Sequence, residues 1–266
     1  MQLSVSNLGW PAKENDWCLE TLAKNGISGI EVAPLKVFDS WDQAGDINSV
    51  TKVKNYFESH GMKISSFQAI TFGAHNLNLL GSEEGKKNLL VHLKKVATLL
   101  SLLDGEYAVF GSPGLRKDQD YSNIELTEVF TSINEIFSEH GVNFALETVP
   151  SYYGCAVLNK LEDTENFFSK LQFTHVVRHF DSGCQFLSGD LENKEFCERF
   201  LSRAEHLHIS EVDLNNFAYP SAHNIEVSEQ VKSNYKGKWC VLEMGDKSFS
   251  RDAFTRSIKN FVALFG

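Results

Sequence analysis

The chain has 266 residues, of which 42% are hydrophobic and 23% are charged, and a formal net charge of −10; this composition is that of a soluble globular protein. Because the basic residues are scattered among acids rather than gathered into a stripe, we expect no nucleic-acid partner. The N-terminus does not resemble a signal peptide, and no apolar stretch approaches the roughly 18 residues of a membrane span, so we expect no membrane partner.

The five cysteines indicate free thiols. Their number is odd, and none of them belongs to a CxxC pair. This pattern argues against a disulfide framework and against a thiolate zinc site, and it is typical of a reducing compartment. We therefore expect a cytoplasmic protein.

A repeated unit runs along the chain: an amphipathic segment, a turn that contains glycine, and a short apolar strand. Four copies of the helix end and its turn are plain, at residues 22–26, 57–61, 137–141 and 234–237. A glycine after the last helical turn supplies the left-handed conformation that ends a helix. In chain order, the eight expected strands span residues 2–5, 30–32, 63–67, 107–110, 143–146, 175–180, 206–209 and 239–242.

This alternation predicts the fold class. Strands that alternate with helices pair in parallel through right-handed crossovers. Eight such units are the number that closes a (β/α)8 TIM barrel, which typically needs about 250 residues. No linker divides the sequence, so we predict one barrel domain over residues 1–266. An open doubly wound sheet is the alternative, but no strand is followed by GxGxxG or GxxxxGK[ST].

Four polar residues end consecutive strands and form the candidate metal site: Glu147, Asp181, His208 and Glu243. Barrel enzymes carry their active sites at the carboxyl ends of the strands. Each residue taken singly fits a structural role, but three carboxylates at one rim would repel one another unless a cation neutralised them. Three oxygens and one nitrogen suit one divalent ion, Mn²⁺ or Mg²⁺ first, with Co²⁺ or Zn²⁺ as alternatives.

The stretches LETVP (146–150), HFDSGC (179–184), HLHISE (206–211) and VLEMG (241–245) resemble the sugar phosphate isomerase/epimerase families of the xylose isomerase-like TIM barrels. The pattern covers nearly the whole chain, and the tagatose and psicose 3-epimerases are the branch most alike. The resemblance implies that Glu147, Asp181, His208 and Glu243 are the metal ligands and that Glu147 and Glu243 are also the catalytic acid/base pair. It further implies a small sugar or polyol substrate, isomerised through an ene-diolate, and a homo-oligomer.

Five further residues are candidate substrate contacts, and a structural role remains open for each: Trp10, Gln68, Cys184, Glu211 and His223. Cys184 stands where the family often has a histidine that contacts substrate. Glu211 keeps the acid of the His-x-x-Glu motif, so it either orients His208 or lies in a solvated loop. The loop at 111–117 and the loop after the last strand are weak candidates for a phosphate site, so free and phosphorylated substrates both remain open.

Three other functions are compatible with this pattern. A lyase similar to inosose or dehydroshikimate dehydratase would use the same ligands. An activity like that of endonuclease IV is disfavoured, because its metal-binding histidines correspond here to Gln68 and Gly111. A barrel that binds a sugar without catalysis is the third alternative.

Overall fold

The computed structural model describes residues 1–117 and 122–266. Eight parallel strands pair in chain order and close into a barrel. The strands are β1 (Gln2–Ser6), β2 (Gly29–Val32), β3 (Lys63–Phe67), β4 (Tyr107–Phe110), β5 (Asn143–Glu147), β6 (Val176–Asp181), β7 (His206–Ser210) and β8 (Trp239–Glu243). The helices are α1 (Asn15–Lys24), α2 (Ile47–Ser59), α3 (Glu83–Leu102), α4 (Asn123–His140), α5 (Leu161–Ser169), α6 (Ser182–Ser188), α7 (Lys194–Leu201), α8 (Ala222–Asn234) and α9 (Arg251–Phe265). The predicted (β/α)8 barrel is confirmed.

Glycine turns end three of the four predicted helix units as expected. Gly26, Gly61 and Gly141 have φ values of 77°, 73° and 66°, the left-handed conformation that glycine adopts at low cost. The same prediction for Gly237 is wrong, because α8 already ends at Asn234 and the φ of Gly237 is not positive. A Cβ at Gly237 would lie only 2.6 Å from the carbonyl oxygen of Glu205, so the glycine there permits close packing.

Side chains on the two faces of the strands have different surroundings, as the strand alternation requires. Leu146 and Leu242 face outward into the large apolar core between barrel and helices. Val109, Ala145 and Val177 form a separate small apolar cluster. The strands also carry many buried polar residues, among them Ser4, Ser6, Glu31, Ser65, Ser66, His179, His206 and His208. A barrel interior with so many polar groups requires that each of them finds a partner.

The cysteine prediction is consistent with the structure. All five cysteines lie in the described part of the chain, and all are buried and free of disulfide bonds. Among the helices within residues 1–117 and 122–266, none combines the length and apolarity needed to cross a bilayer.

Candidate active site

The four predicted ligands meet at the carboxyl end of the barrel. Glu147, Asp181 and Glu243 are the last residues of β5, β6 and β8. The strand register pairs Asp181 directly with His208, and Glu243 with Ser210, two residues further along β7. Parallel strands end at the same rim of a barrel, so side chains that are distant in the sequence become neighbours.

The ligand atoms lie within a few ångströms of one another. His208 Nδ1 is 3.2 Å from Glu243 Oε2 and 3.9 Å from Asp181 Oδ2. One ligand atom each from Glu147, Asp181 and His208 falls within 4.8 Å of the other two. This is the spacing expected of atoms that surround a common point.

The carboxylates perturb one another strongly. Burial raises the pKa of Glu147 to about 8, and the charges of Asp181 and Glu243 push it in the same direction. Burial and the charge of Glu243 likewise raise the pKa of Asp181. Glu147 and Asp181 therefore retain their protons more readily than free carboxyl groups do, and added positive charge at this point would favour their ionised forms.

Two buried atoms at this point lack a hydrogen-bond partner of good geometry among the described residues. One oxygen of Asp181, Oδ1, accepts from the backbone N–H of Cys184 at 2.6 Å and from the Ser210 hydroxyl at 2.9 Å. Asp181 Oδ2 has no hydrogen-bond partner among the described residues, and His208 Nδ1 makes no hydrogen bond of good geometry, since its neighbour Glu243 Oε2 at 3.2 Å forms only an ion-pair contact. Since buried polar atoms are rarely left unpaired, the donor set fits a divalent cation.

Glu31, in the middle of β2, orients His208. Its Oε2 lies 2.9 Å from His208 Nε2 and also accepts from the Ser66 hydroxyl at 2.7 Å. Although burial opposes it, the charges of Glu31 and Glu243 raise the pKa of His208 well above the ordinary value, so without an ion the ring is protonated on both nitrogens. A metal ion would take the place of the Nδ1 proton, while Glu31 holds the proton on Nε2. Carboxylate–histidine pairs of this kind fix the tautomer of metal ligands. Glu31 was not among the residues predicted from the sequence.

Glu211 makes no hydrogen bond to His208, although the His-x-x-Glu motif suggested a role in orienting this ring. It binds other partners. Its Oε1 accepts from the backbone N–H of Ser221 at 2.9 Å and from the Asn224 side chain at 3.0 Å. The orienting role therefore belongs to Glu31. The Glu211 side chain instead lines the cavity above the acidic cluster.

Two further histidines lie in the barrel beneath His208. The Nδ1 atoms of His179 and His206 are 3.0 Å apart, and His206 Nε2 is 4.0 Å from Glu31 Oε2. Burial lowers the pKa of both rings well below the ordinary histidine value, so both are neutral.

A cavity of about 360 Å³ opens onto the acidic cluster. Gln68 and Cys184, two of the predicted substrate contacts, line it together with the ligands. The Cys184 Sγ is 3.5 Å from Glu147 Oε1, and the Gln68 amide binds the hydroxyl of Ser6. Tyr153, which follows β5, also reaches the cavity.

Trp10 and His223, the last two of the five predicted contacts, do not line this cavity. Trp10 is completely buried; its ring packs edge-on against Phe254 at 5.4 Å, and its indole N–H binds Asn15. The structure thus makes Trp10 a core residue instead of a substrate contact. His223 stacks on Phe186 at 4.2 Å and is absent from the cavity lining, so it does not face the ligands either.

Gly111, which follows β4, gives Glu147 the room it needs. A Cβ at this position would collide with Glu147 Oε2. The Gly111 carbonyl accepts from the guanidinium of Arg116 at 2.5 Å, and Arg116 is completely buried. Close approach of backbone and carboxylate is therefore the reason for glycine here.

The comparisons place the fold among known proteins. The model of a family described as xylose isomerase-like TIM barrel matches residues 19–256. No curated protein sequence is significantly similar to this chain.

Solved structures that share this fold include two sugar epimerases and a zinc-bound protein. The 3-keto-D-glucoside 4-epimerase of E. coli is 15% identical, with a TM-score of 0.75 and 99% of both chains covered. The D-psicose 3-epimerase of Clostridium cellulolyticum, solved with D-tagatose, is 13% identical with a TM-score of 0.78, covering 100% of this chain and 98% of the other. The IolI protein, solved with a zinc atom, is 17% identical with a TM-score of 0.73, and the match covers 100% of this chain and 98% of IolI. At these identities, the likeness establishes the fold alone.

Proposed function

We propose that this chain, which belongs to the xylose isomerase-like TIM barrel family, is a divalent-metal-dependent enzyme that isomerises or epimerises a small sugar. One observation carries the proposal. Three carboxylates and one imidazole nitrogen converge at the bottom of a cavity, and two of their buried atoms have no hydrogen-bond partner of good geometry among the described residues. The epimerases among the structural neighbours support the choice of reaction.

Glu147, Asp181, His208 and Glu243 would hold the ion. A divalent ion bound there supplies positive charge that stabilises the negative charge developing on the substrate oxygens. The oxygen-rich set favours Mn²⁺ or Mg²⁺. The zinc atom in the IolI structure keeps Zn²⁺ among the ions to be tested.

Glu147 and Glu243 are the residues that move the proton. Both side chains line the cavity from different strands, so a substrate bound between them has a carboxyl group on each side. One carboxylate removes the proton from the carbon next to the carbonyl, and a carboxyl group returns a proton to the same or the neighbouring carbon. Metal binding would displace the proton that Glu147, with its pKa of about 8, retains without an ion, so the loaded site would present the carboxylate that proton removal needs.

The mutant experiment uses a panel of monosaccharides, with products separated by chromatography and weighed by mass spectrometry. Glu147→Gln and Glu243→Gln are each expected to lower turnover by at least about a thousandfold, because proton transfer itself contributes about 10²–10⁴-fold and ligation is weakened as well. Glu106→Gln, at the opposite end of the barrel, is the control and should keep full activity. Full turnover in both active-site variants would refute the mechanism. A product lighter by one water would indicate a lyase instead.

The compartment is part of the same proposal. Five free, buried cysteines support a reducing environment, since disulfides form readily in oxidising compartments. We therefore place the enzyme in the cytoplasm. Fractionation of the native cells with an antibody against the chain tests this placement.

A further inference from the structure

We infer that the substrate of this cavity is uncharged, a free keto-sugar or polyol rather than a sugar phosphate or sugar acid. The inference rests on the proposed function and deepens it. Among the residues that the structure describes, the cavity lining includes four acids, Glu147, Asp181, Glu211 and Glu243, and neither lysine nor arginine. A divalent ion would offset only two of those four negative charges, so an anionic substrate would still be repelled.

The loops that hold phosphate in many barrels are closed to it here. That place lies after the seventh and eighth strands, and in this chain it carries Asp213 and Asp246. Two of its backbone N–H groups are already engaged: Gly245 N–H donates to the Leu214 carbonyl at 2.8 Å, and Leu214 N–H donates to the Glu211 carbonyl at 3.0 Å. A phosphate would meet negative charge and find these donors occupied.

The cations nearest the mouth are committed elsewhere. The guanidinium of Arg116 is completely buried and donates to the carbonyls of Gly111 and Val157. The ammonium group of Lys36 binds the Trp10 carbonyl at 2.6 Å and Asp246 at 3.2 Å. Residues 118–121 read Asp-Gln-Asp-Tyr and contribute no basic side chain. Lys117 and Lys247, the remaining basic residues of the loops at 111–117 and after β8, are exposed and do not line the cavity.

The start of α6 is occupied as well. This helix begins beside the metal ligands, and its N-cap residue Asp181 accepts the N–H of Cys184 in the first turn. The remaining lining offers uncharged partners: the hydroxyl of Ser210 and the amide of Gln68 for sugar hydroxyls, and Val149 and Leu214 for a C–H face. Such a mixture of a few polar groups and apolar surface is typical of small-molecule sites.

Glu211 is the residue that we assign to the exclusion of anions. It is not among the four ligands, and hydrogen bonds from Ser221 N–H, the Ser221 hydroxyl and Asn224 hold its carboxylate in place. Because it is fixed, it does not swing away from an approaching phosphate. Glu211→Gln keeps the shape and removes the charge, which makes it the matched variant.

The experiment compares free ketopentoses and ketohexoses with their terminal phosphate esters, using Mn²⁺-loaded protein. We expect kcat/KM for the best free sugar to exceed that for its phosphate by at least about 100-fold. We expect Glu211→Gln to narrow this ratio by about tenfold, which corresponds to about 1.4 kcal/mol.

The outcomes separate the two proposals. Turnover of phosphate esters at or above the rate of free sugars overturns this inference and leaves the proposed isomerase function standing. Turnover of neither class refutes the proposed function, and the inference falls with it. A ratio that Glu211→Gln leaves unchanged overturns the assignment of Glu211. Circular dichroism of the variant verifies that it is folded before the ratio is interpreted.

Discussion

Replacing Glu31 by glutamine tests how the structure prepares His208 for a metal ion. Glu31 is completely buried and accepts hydrogen bonds from His208 Nε2 and Ser66. Glutamine keeps the size of the side chain and removes its charge. The Nε2 proton of the imidazole would then have only a neutral acceptor, and Nδ1 would be less basic as a ligand.

The size of the effect follows from the kind of hydrogen bond lost. A hydrogen bond to a charged group contributes about 1.5–3 kcal/mol and a neutral one about 0.5–1.5 kcal/mol. The difference of about 1–1.5 kcal/mol corresponds to a metal affinity about tenfold weaker. Glu31→Ala removes both hydrogen bonds and should weaken binding by about 100-fold, the upper end of the range for such outer residues.

Isothermal titration of the metal-free protein with Mn²⁺ or Zn²⁺ measures this affinity without reference to any substrate. Glu106→Gln is the control, because Glu106 accepts from the Trp239 indole at the opposite end of the barrel. It should bind metal as the unaltered protein does. An unchanged affinity in Glu31→Gln, with the fold intact by circular dichroism, would refute the proposed coupling between Glu31 and the metal site.

Three further predictions follow from the site and its surroundings. Because burial holds the pKa of Glu147 at about 8 without an ion, metal binding below that pH must expel its proton. The affinity should therefore rise by at least about tenfold per pH unit between pH 6 and 8, and more steeply where the proton of His208 is expelled as well. Titrations in two buffers of different ionisation enthalpy count the protons released on binding, and a release of none would contradict this prediction. Gly111→Ala should displace the Glu147 carboxylate and lower turnover by about 100-fold, and kinetics equal to those of the parent would contradict the close approach. Trp10→Phe should lower the free energy of unfolding in urea by about 1–2 kcal/mol with KM unchanged; a raised KM at unchanged stability would instead make Trp10 a substrate contact.

Most of the fold could be predicted because its determinants are local. The third and fourth strands, Lys63–Phe67 and Tyr107–Phe110, have the predicted bounds, and the other six differ by one residue at one or both ends. Apolar runs and glycine turns identify such elements without knowledge of their partners. The Gly237 prediction failed because the glycine is needed for close packing against the backbone of Glu205, which precedes the neighbouring strand β7.

The site was predictable where it depended on strand ends and not where it depended on contacts across the barrel. Glu147, Asp181, His208 and Glu243 could be found because each ends or nearly ends a strand. Glu31 lies 177 residues from His208 in the sequence, and only closure of the barrel brings the two together. Its one sequence signal is an acid in the middle of the apolar strand Gly29–Val32.

The position of Trp10 illustrates the same limit for loops. The residue follows β1, which placed it at the correct rim, but the direction of its ring depends on α9 at the far end of the chain, where Phe254 receives it. Loop residues take their orientation from tertiary packing that sequence periodicity does not encode.

The position of a bound ion would test whether the four side chains at the carboxyl end of the barrel form one metal site. Crystals grown with Mn²⁺ and measured at the manganese absorption edge would reveal each ion by its anomalous signal. We expect one strong peak, at about 2.0–2.5 Å from His208 Nδ1 and from carboxylate oxygens of Glu147, Asp181 and Glu243. A map with no peak among these four side chains, at an Mn²⁺ concentration that saturates activity, would contradict this expectation.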